Sequence, residues 1–223
     1  MAVRLQEVHP SIVHFPIALL PVAVGADLLG RITGSGRLKE LGRTLMPVAA
    51  ASAALSAVTG LVAQEEVATD GVAEELLITH RNLNLSLVTL STALAAWRWR
   101  REEAGPGYLA VALAGIAAMS YSAYLGGKMV YEHGVGVKPA DGVRGGDSPE
   151  LLPRHAGAIA RRVGSDIERG VARALDDLAT RDPLPAIRRD SVERPSTLQG
   201  GRGDTDVAGT IADDGPGSVA AMP

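Results

Sequence analysis

Four long apolar segments, each near the length of a membrane span, lie within the first 133 residues of the chain. They cover residues 12–30, 45–63, 76–97 and 108–127, and the second and fourth contain no Asp, Glu, Lys or Arg. A helix needs about 20 mostly apolar residues to cross a bilayer, whereas a helix of a soluble bundle shows a polar face every 3.6 residues. The pattern therefore predicts an all-α fold, a four-helix transmembrane bundle over residues 9–137.

The basic residues indicate how this bundle is oriented. Loops 31–43 and 98–103 carry seven Lys and Arg residues, whereas the stretch 64–75 carries five acids and no Lys or Arg. Cytoplasmic loops are enriched in Lys and Arg, so we expect these two loops inside and both termini outside the cytoplasm. The first segment is followed by an Arg-rich loop and not by a cleavage-like site, which indicates a retained helix. Asp27 is expected to pair with Arg31, one turn later.

The remaining residues are more polar. Residues 138–153 are rich in Gly and Pro and are interpreted as a linker. Between residues 154 and 181, apolar side chains recur every three or four positions, which predicts an amphipathic helix with three alternatives: it lies on the membrane, pairs with a partner, or is only marginally helical. Residues 182–223 show no periodicity and are predicted to be disordered. The net charge of −3 argues against nucleic acid as a partner.

Histidines gather at one predicted end of the bundle. Four of the five fall on the outer side: His9, His14, His80 and His133. Ionisable residues at membrane depth usually face the bundle or a cavity. Haem b held axially by His14 and His80, the two deepest, is one hypothesis. A divalent metal is a second, with these ligands: His9, His14, His80, His133 and Glu132. Asn84, on the face of His80, and Tyr131 are supporting candidates.

Two plainer interpretations stay open beside these, a proton relay and a purely structural polar cluster. The chain contains no cysteine, so His and carboxylate side chains must hold any cofactor. It has no phosphate-binding loop, no nucleophile elbow, no H-E-x-x-H motif and no evident internal repeat, and we do not expect a stand-alone enzyme. The functional alternative to a redox or metal-binding protein is a scaffold that recruits a partner through its C-terminal tail.

Three motifs resemble a known family. They are HPSIVHFPIALL from His9, HRNLN from His80 and YLGGKMVYEHGVGV from Tyr124. In this order they resemble a family of bacterial membrane proteins catalogued as domain of unknown function 2231. The motif positions are His9, Pro10, His14, Phe15, Pro16, His80, Asn84, Gly126, Gly127, Tyr131, Glu132, His133 and Gly134.

The resemblance implies a four-helix domain of the bacterial cytoplasmic membrane with no established activity. Some members are joined to cytochrome c domains and the plan is similar to cytochrome b-type bundles, which favours a redox role by analogy. The implied partners are the lipid bilayer, a redox or other membrane protein, and a second copy of the chain. Since no histidine lies at the inner end, the chain is expected to ligate at most one haem.

Overall fold

A computed structural model of the chain describes residues 4–137, 140, 142–144 and 151–193. Within these residues the elements are helical, apart from an isolated antiparallel bridge between Val67 and Val143. The helices are α1 (Leu5–Ile12), α2 (His14–Thr33), α3 (Gly36–Glu66), α4 (Gly71–Trp99), α5 (Pro106–Tyr131), α6 (Ala156–Thr180) and α7 (Pro185–Glu193), with a 3₁₀ turn at Pro153–His155.

Helices α2 to α5 form an antiparallel bundle with short connections. α3 packs against both α2 and α4, and α5 packs against α4 and α2. A core of small and medium side chains fills one half of the bundle, including Ala23, Met46 and Ala112. In lipid, close approach of backbones over small residues replaces the hydrophobic drive between helices. The basic segments 31–43 and 98–103, which in the structure include the ends of α2, α3 and α4, lie at the same end, where Arg31 donates to Ala104 O.

Three stretches are long and apolar enough to cross a membrane: Glu7–Thr33, Gly36–Glu66 and Pro106–Tyr131. The first joins α1 and α2, which are separated only by a break at Val13. Pro16 explains the break, since it has no N–H to donate to the carbonyl four residues earlier. α4 is 29 residues long but does not count among these stretches, because its first turns are polar.

Asp27 pairs with a different arginine from the one expected. Arg98 Nε donates to both carboxylate oxygens of Asp27, at 2.9 and 3.1 Å, and both side chains are fully buried. The other guanidinium nitrogens of Arg98 donate to the carbonyls of Lys39, Arg101 and Glu102. Arg31 instead donates to the backbone carbonyl of Ala104. The prediction of an i, i+4 pair is wrong because a buried carboxylate needs a desolvated cation, and Arg98 at the end of α4 supplies it.

Helix α6 docks on the bundle by a face that the apolar pattern does not predict. Its buried positions are Asp166, Gly170, Ala174 and Asp177, whereas Leu175 and other members of the apolar stripe are exposed. Three arginines of α6 reach the buried acids at the end of α3: Arg162 binds Glu66, and Arg169 and Arg173 bind Glu65. Burial raises the pKa of Asp166 above its usual value.

Helix α7 lies inside the stretch 182–223, which the sequence predicts to be disordered. The prediction is wrong for Pro185–Glu193, because this segment finds hydrogen-bond partners on α4. The Ala186 N–H donates to Thr79 Oγ1 at 3.0 Å, and Asn82 Nδ2 donates to Pro183 O at 2.8 Å. Residues 194–223, and most of the predicted linker at 138–153, lie outside the described residues.

Candidate functional site

A half-open, mostly apolar cavity of about 390 Å³ lies between the helices at the end remote from the basic loops. Its wall takes in residues of α1 through α5, and among its few polar side chains are His9, His80 and Asn84. Small-molecule sites are concave, mainly apolar and hold a few placed polar groups, within a volume of about 300 to 1,000 Å³. The cavity has the form of a ligand site in the bundle.

His9 reaches the cavity from α1. Its Nδ1 lies 3.0 Å from Ser56 O and 3.4 Å from Thr59 Oγ1, both on α3. A Cβ added at Gly60 would lie 3.2 Å from Cε1 of His9. The imidazole therefore occupies space that a side chain at position 60 would need. α1 packs against α3, and this contact brings its histidine to the cavity wall.

His80 reaches the cavity from α4 in the same manner. Its Nδ1 lies 2.8 Å from Ser122 O on α5, and a Cβ at Gly126 would lie 3.2 Å from its Cε1 atom. Asn84 Nδ2 donates to Ser122 Oγ at 2.9 Å and to the carbonyl of His80 at 2.8 Å. The serine, and through it the imidazole, is therefore held in place by a side chain one turn along α4.

We call each histidine together with the serine and glycine that it contacts a histidine seat. The two seats repeat one arrangement. Each ring bonds the carbonyl of a serine and lies against the glycine four residues later, Ser56 with Gly60 and Ser122 with Gly126. The histidines precede these serines by 47 and 42 residues. Both serines belong to a Ser-x-x-x-Gly sequence, on α3 for His9 and on α5 for His80, but only the structure pairs each with its histidine.

The hydrogen bonds of His9 and His80 show which ring nitrogen of each could bind a ligand. Nδ1 of each neutral ring donates to a backbone carbonyl, which assigns the remaining lone pair to Nε2. Among the described residues neither Nε2 has a hydrogen-bond partner. Histidines that bind metals characteristically hold their other ring nitrogen in this way, because the hydrogen bond fixes tautomer and orientation. The cavity thus carries two oriented imidazoles, each with Nδ1 bonded to a backbone carbonyl.

The other predicted site residues lie apart from these two rings. His14, His133 and Glu132 are exposed, and none of them lines the cavity. Tyr131 lines its rim but is 91% exposed. Within the described parts of the chain, no three His, Asp or Glu side chains converge to hold a metal ion. The structure therefore places His80 on the same cavity as His9, which the sequence assigned only to the metal set, and leaves His14 exposed on α2.

A family model described as "Predicted membrane protein (DUF2231)" matches residues 6–139. The matched region contains the whole cavity, both histidine seats and the ends of all helices from α2 to α5. No curated protein matches the chain, and no solved structure matches it. The match spans more than half of the chain and agrees with the three apolar helices, so this protein belongs to the DUF2231 family of membrane proteins.

Proposed function

We propose that this protein binds haem b in the cavity, where His9 and His80 would hold the haem iron, and serves as a one-electron redox protein of the membrane. The observation that carries the proposal is the pair of imidazoles on one apolar cavity, each with Nδ1 bonded to a backbone carbonyl. Haem supplies reversible one-electron chemistry when bound. The two rings would hold it, and the apolar wall would exclude water.

The number of ligands favours haem over a divalent ion. A tetrapyrrole brings four nitrogens of its own, so two protein side chains complete its coordination. A bare ion bound by protein needs three or more His or carboxylate ligands. Around the cavity, the described residues offer the two histidines and no third such group. The donor set thus supports haem more than the five-ligand metal site.

We further propose that α4 is a fourth span. At 1.5 Å per residue its 29 residues extend for about 43 Å, more than the roughly 30 Å of hydrocarbon. Its polar side chains find partners within the protein: Arg81 binds Asp177 at 2.9 Å, and Asn82 binds the carbonyl of Pro183. From Leu83 to Trp97 the helix has no charged residue.

The location follows from the same argument. With four spans and the basic loops inside, the cavity lies near the outer face of a bacterial cytoplasmic membrane. A single haem at that face cannot carry electrons across the bilayer alone. Its electron partner is therefore a redox protein or membrane protein on the outer side, or a second copy of the chain in a homo-oligomer.

The test is spectroscopic. The full chain is purified in detergent from haem-replete cells and titrated with haemin, and absorption and metal content are measured. We expect a Soret band and the low-spin signal of two imidazole ligands in electron paramagnetic resonance. His9→Ala and His80→Ala should each remove the low-spin signal, whereas the matched exposed histidines, in His14→Ala and His133→Ala, should leave it unchanged.

A folded, colourless protein that takes up no haemin would overturn the proposal. So would a low-spin signal that survives His9→Ala but is lost in His14→Ala. The scaffold hypothesis predicts a third result: removal of residues 151–223 abolishes the cellular phenotype, while the variants of His9 and His80 fold and function normally. A divalent metal that copurifies stoichiometrically and is lost with the same two histidines would favour the metal site.

A further inference from the structure

Part of the apolar stripe of α6 is exposed in the part of the chain that the structure describes. Its exposed members are Val171 (41% exposed), Leu175 (63%) and Leu178 (49%), spaced four and three residues apart. On a helical wheel they lie within about 60° of one another. The side that docks on the bundle, with Asp166, Gly170 and Ala174, is next to this stripe and distinct from it. The helix therefore turns a small and charged face to the protein and a bulky apolar face away from it.

The contacts show that α6 crosses the end of α3 and does not run along it. The ion pairs and close approaches that join α6 between Arg162 and Arg173, about 17 Å of helix, to α3 fall within the last six residues of α3, about 8 Å long. Since α3 is a candidate span, a helix laid across its end lies close to the plane of the membrane surface.

The lipid-facing surface of α3 extends up to this contact. Leu55 and Val58 on α3 are exposed apolar side chains, 52% and 42% accessible. Gly170 of α6 approaches α3 at Leu61, whose carbonyl would lie 2.8 Å from a Cβ added to the glycine. Three residues of helix separate Val58 from Leu61, about 4.5 Å. An amphipathic helix at an interface buries its apolar face about 5–10 Å into the headgroup boundary.

We propose that α6 is an interfacial membrane helix, whose stripe of Val171, Leu175 and Leu178 inserts among the lipids at the α3 C-terminal end. The face with Asp166 and Gly170 holds it to the bundle, and a third side, with Glu168 and Ala172, faces water. The occupant of the stripe is the boundary between headgroups and acyl chains of the surrounding bilayer. Neither haem binding nor the orientation of the bundle is needed for this inference.

The absence of cysteine allows a direct test on the full chain. Single variants Leu175→Cys, Leu178→Cys and Ala172→Cys are spin-labelled and placed in nanodiscs of phosphatidylcholine and phosphatidylglycerol. Collision rates with oxygen, which concentrates in lipid, and with a water-soluble nickel chelate are measured. We expect the oxygen-to-nickel ratio at 175 and 178 to exceed that at 172 severalfold. A bimane label at 175 should also be quenched by doxyl-labelled lipid, and one at 172 should not.

Two results would overturn the inference. Equal ratios at the three positions, without quenching by doxyl lipid, would place the stripe in water. Protection of 175 and 178 from both reagents, together with a short dipolar distance between labels on different molecules, would show that a second copy covers it. Since all three positions are exposed, their labels leave the docking face untouched, and circular dichroism of each variant checks that the fold is kept.

Discussion

Each of the two cavity histidines lies over a glycine of the neighbouring helix, and the missing Cβ makes room for the ring. For His80 this glycine is Gly126, while the next residue, Gly127, has nothing within 4 Å of where its Cβ would stand. The adjacent glycines differ in what they contact although both are helical. This pair allows the effect of a side chain on the ring to be separated from its effect on the helix.

Gly127→Ala should stabilise the protein, because alanine is favoured over glycine in a helix by up to about 1 kcal/mol. Gly126→Ala gives the same gain in helix propensity, but it places a methyl group 3.2 Å from Cε1 of His80. Since the ring is held by a 2.8 Å hydrogen bond to Ser122 O, it must shift by a few tenths of an ångström. We expect haemin affinity to fall about tenfold, or about 1.4 kcal/mol, in this variant alone. Equal haemin titrations of both variants would contradict the role given to Gly126.

The second residue-scale prediction concerns the ion pair between Asp27 and Arg98. Arg98→Leu leaves a buried carboxylate without its cation, which should cost about 3–5 kcal/mol of unfolding free energy. Asp27→Asn combined with Arg98→Leu should recover most of this loss, because the uncompensated charge is gone. Thermal unfolding in detergent measures both. Additive losses in the double variant would show that the two side chains act independently, against the 2.9 Å contact between them.

At the scale of elements, the close approach of α6 to α3 depends on Gly170. A Cβ there would meet the Leu61 carbonyl at 2.8 Å and Gln64 Nε2 at 2.9 Å, whereas one at Gly164 would meet nothing within 4 Å. Gly170→Leu should therefore release α6, and Gly164→Leu should not. Hydrogen exchange of residues 156–180 measures the release as a loss of protection. Unchanged protection in Gly170→Leu would contradict the docking that the structure shows.

Acid should loosen α7 through Asp182. The backbone N–H of Leu184, with Arg188 nearby, holds the pKa of the Asp182 carboxyl below its usual 3.8. A carboxylate with a lowered folded-state pKa stabilises the fold above the unfolded value, and this stabilisation is lost as the pH falls through the lowered pKa. Exchange protection of residues 185–193 should thus drop below about pH 4. Asp182→Asn should show weaker protection at neutral pH and a flatter profile.

Helix positions were predictable from the sequence, but the faces by which helices meet were not. Hydropathy alone located the four long helices, and periodicity located α6. The docking face of α6 was missed because Glu65 and Glu66 read as part of an acidic loop, while they form the last turn of α3 and are buried. Their arginine partners lie about a hundred residues away. The spacing of apolar residues describes the faces of a single helix. It does not reveal charged partners on another helix.

The sequence also could not show which histidine of the first segment lies at the cavity, because this depends on how the helices pack. Depth along the first segment favoured His14 over His9, since an unbroken helix would bring the later residue further into the membrane. In the structure α1 packs against α3, and His9, not His14, reaches the cavity. The family resemblance placed both histidines in one motif. Only the packing of α1 distinguishes the ligand that faces the cavity from the one that faces outward.

At the scale of the whole molecule, the repeated histidine seats divide the bundle into two similar halves. α1 to α3 provide His9 with Ser56 and Gly60, and α4 to α5 provide His80 with its counterparts. The haem proposed for the cavity would lie between these two parts of the bundle, so its binding should hold them together. This arrangement lies at one end of the bundle, opposite the basic loops, and makes the orientation of the bundle functionally decisive.

Orientation can be tested with single cysteines in intact bacterial cells, since the chain has none of its own. Asp70→Cys lies between α3 and α4 at the cavity end, and Gly105→Cys lies just before α5 at the basic end. Because short loops rich in Lys and Arg stay in the cytoplasm, an impermeant maleimide should label position 70 in intact cells and position 105 only after permeabilisation. The reverse labelling would place the histidines at the cytoplasmic face, and the electron partner would then have to be sought inside the cell.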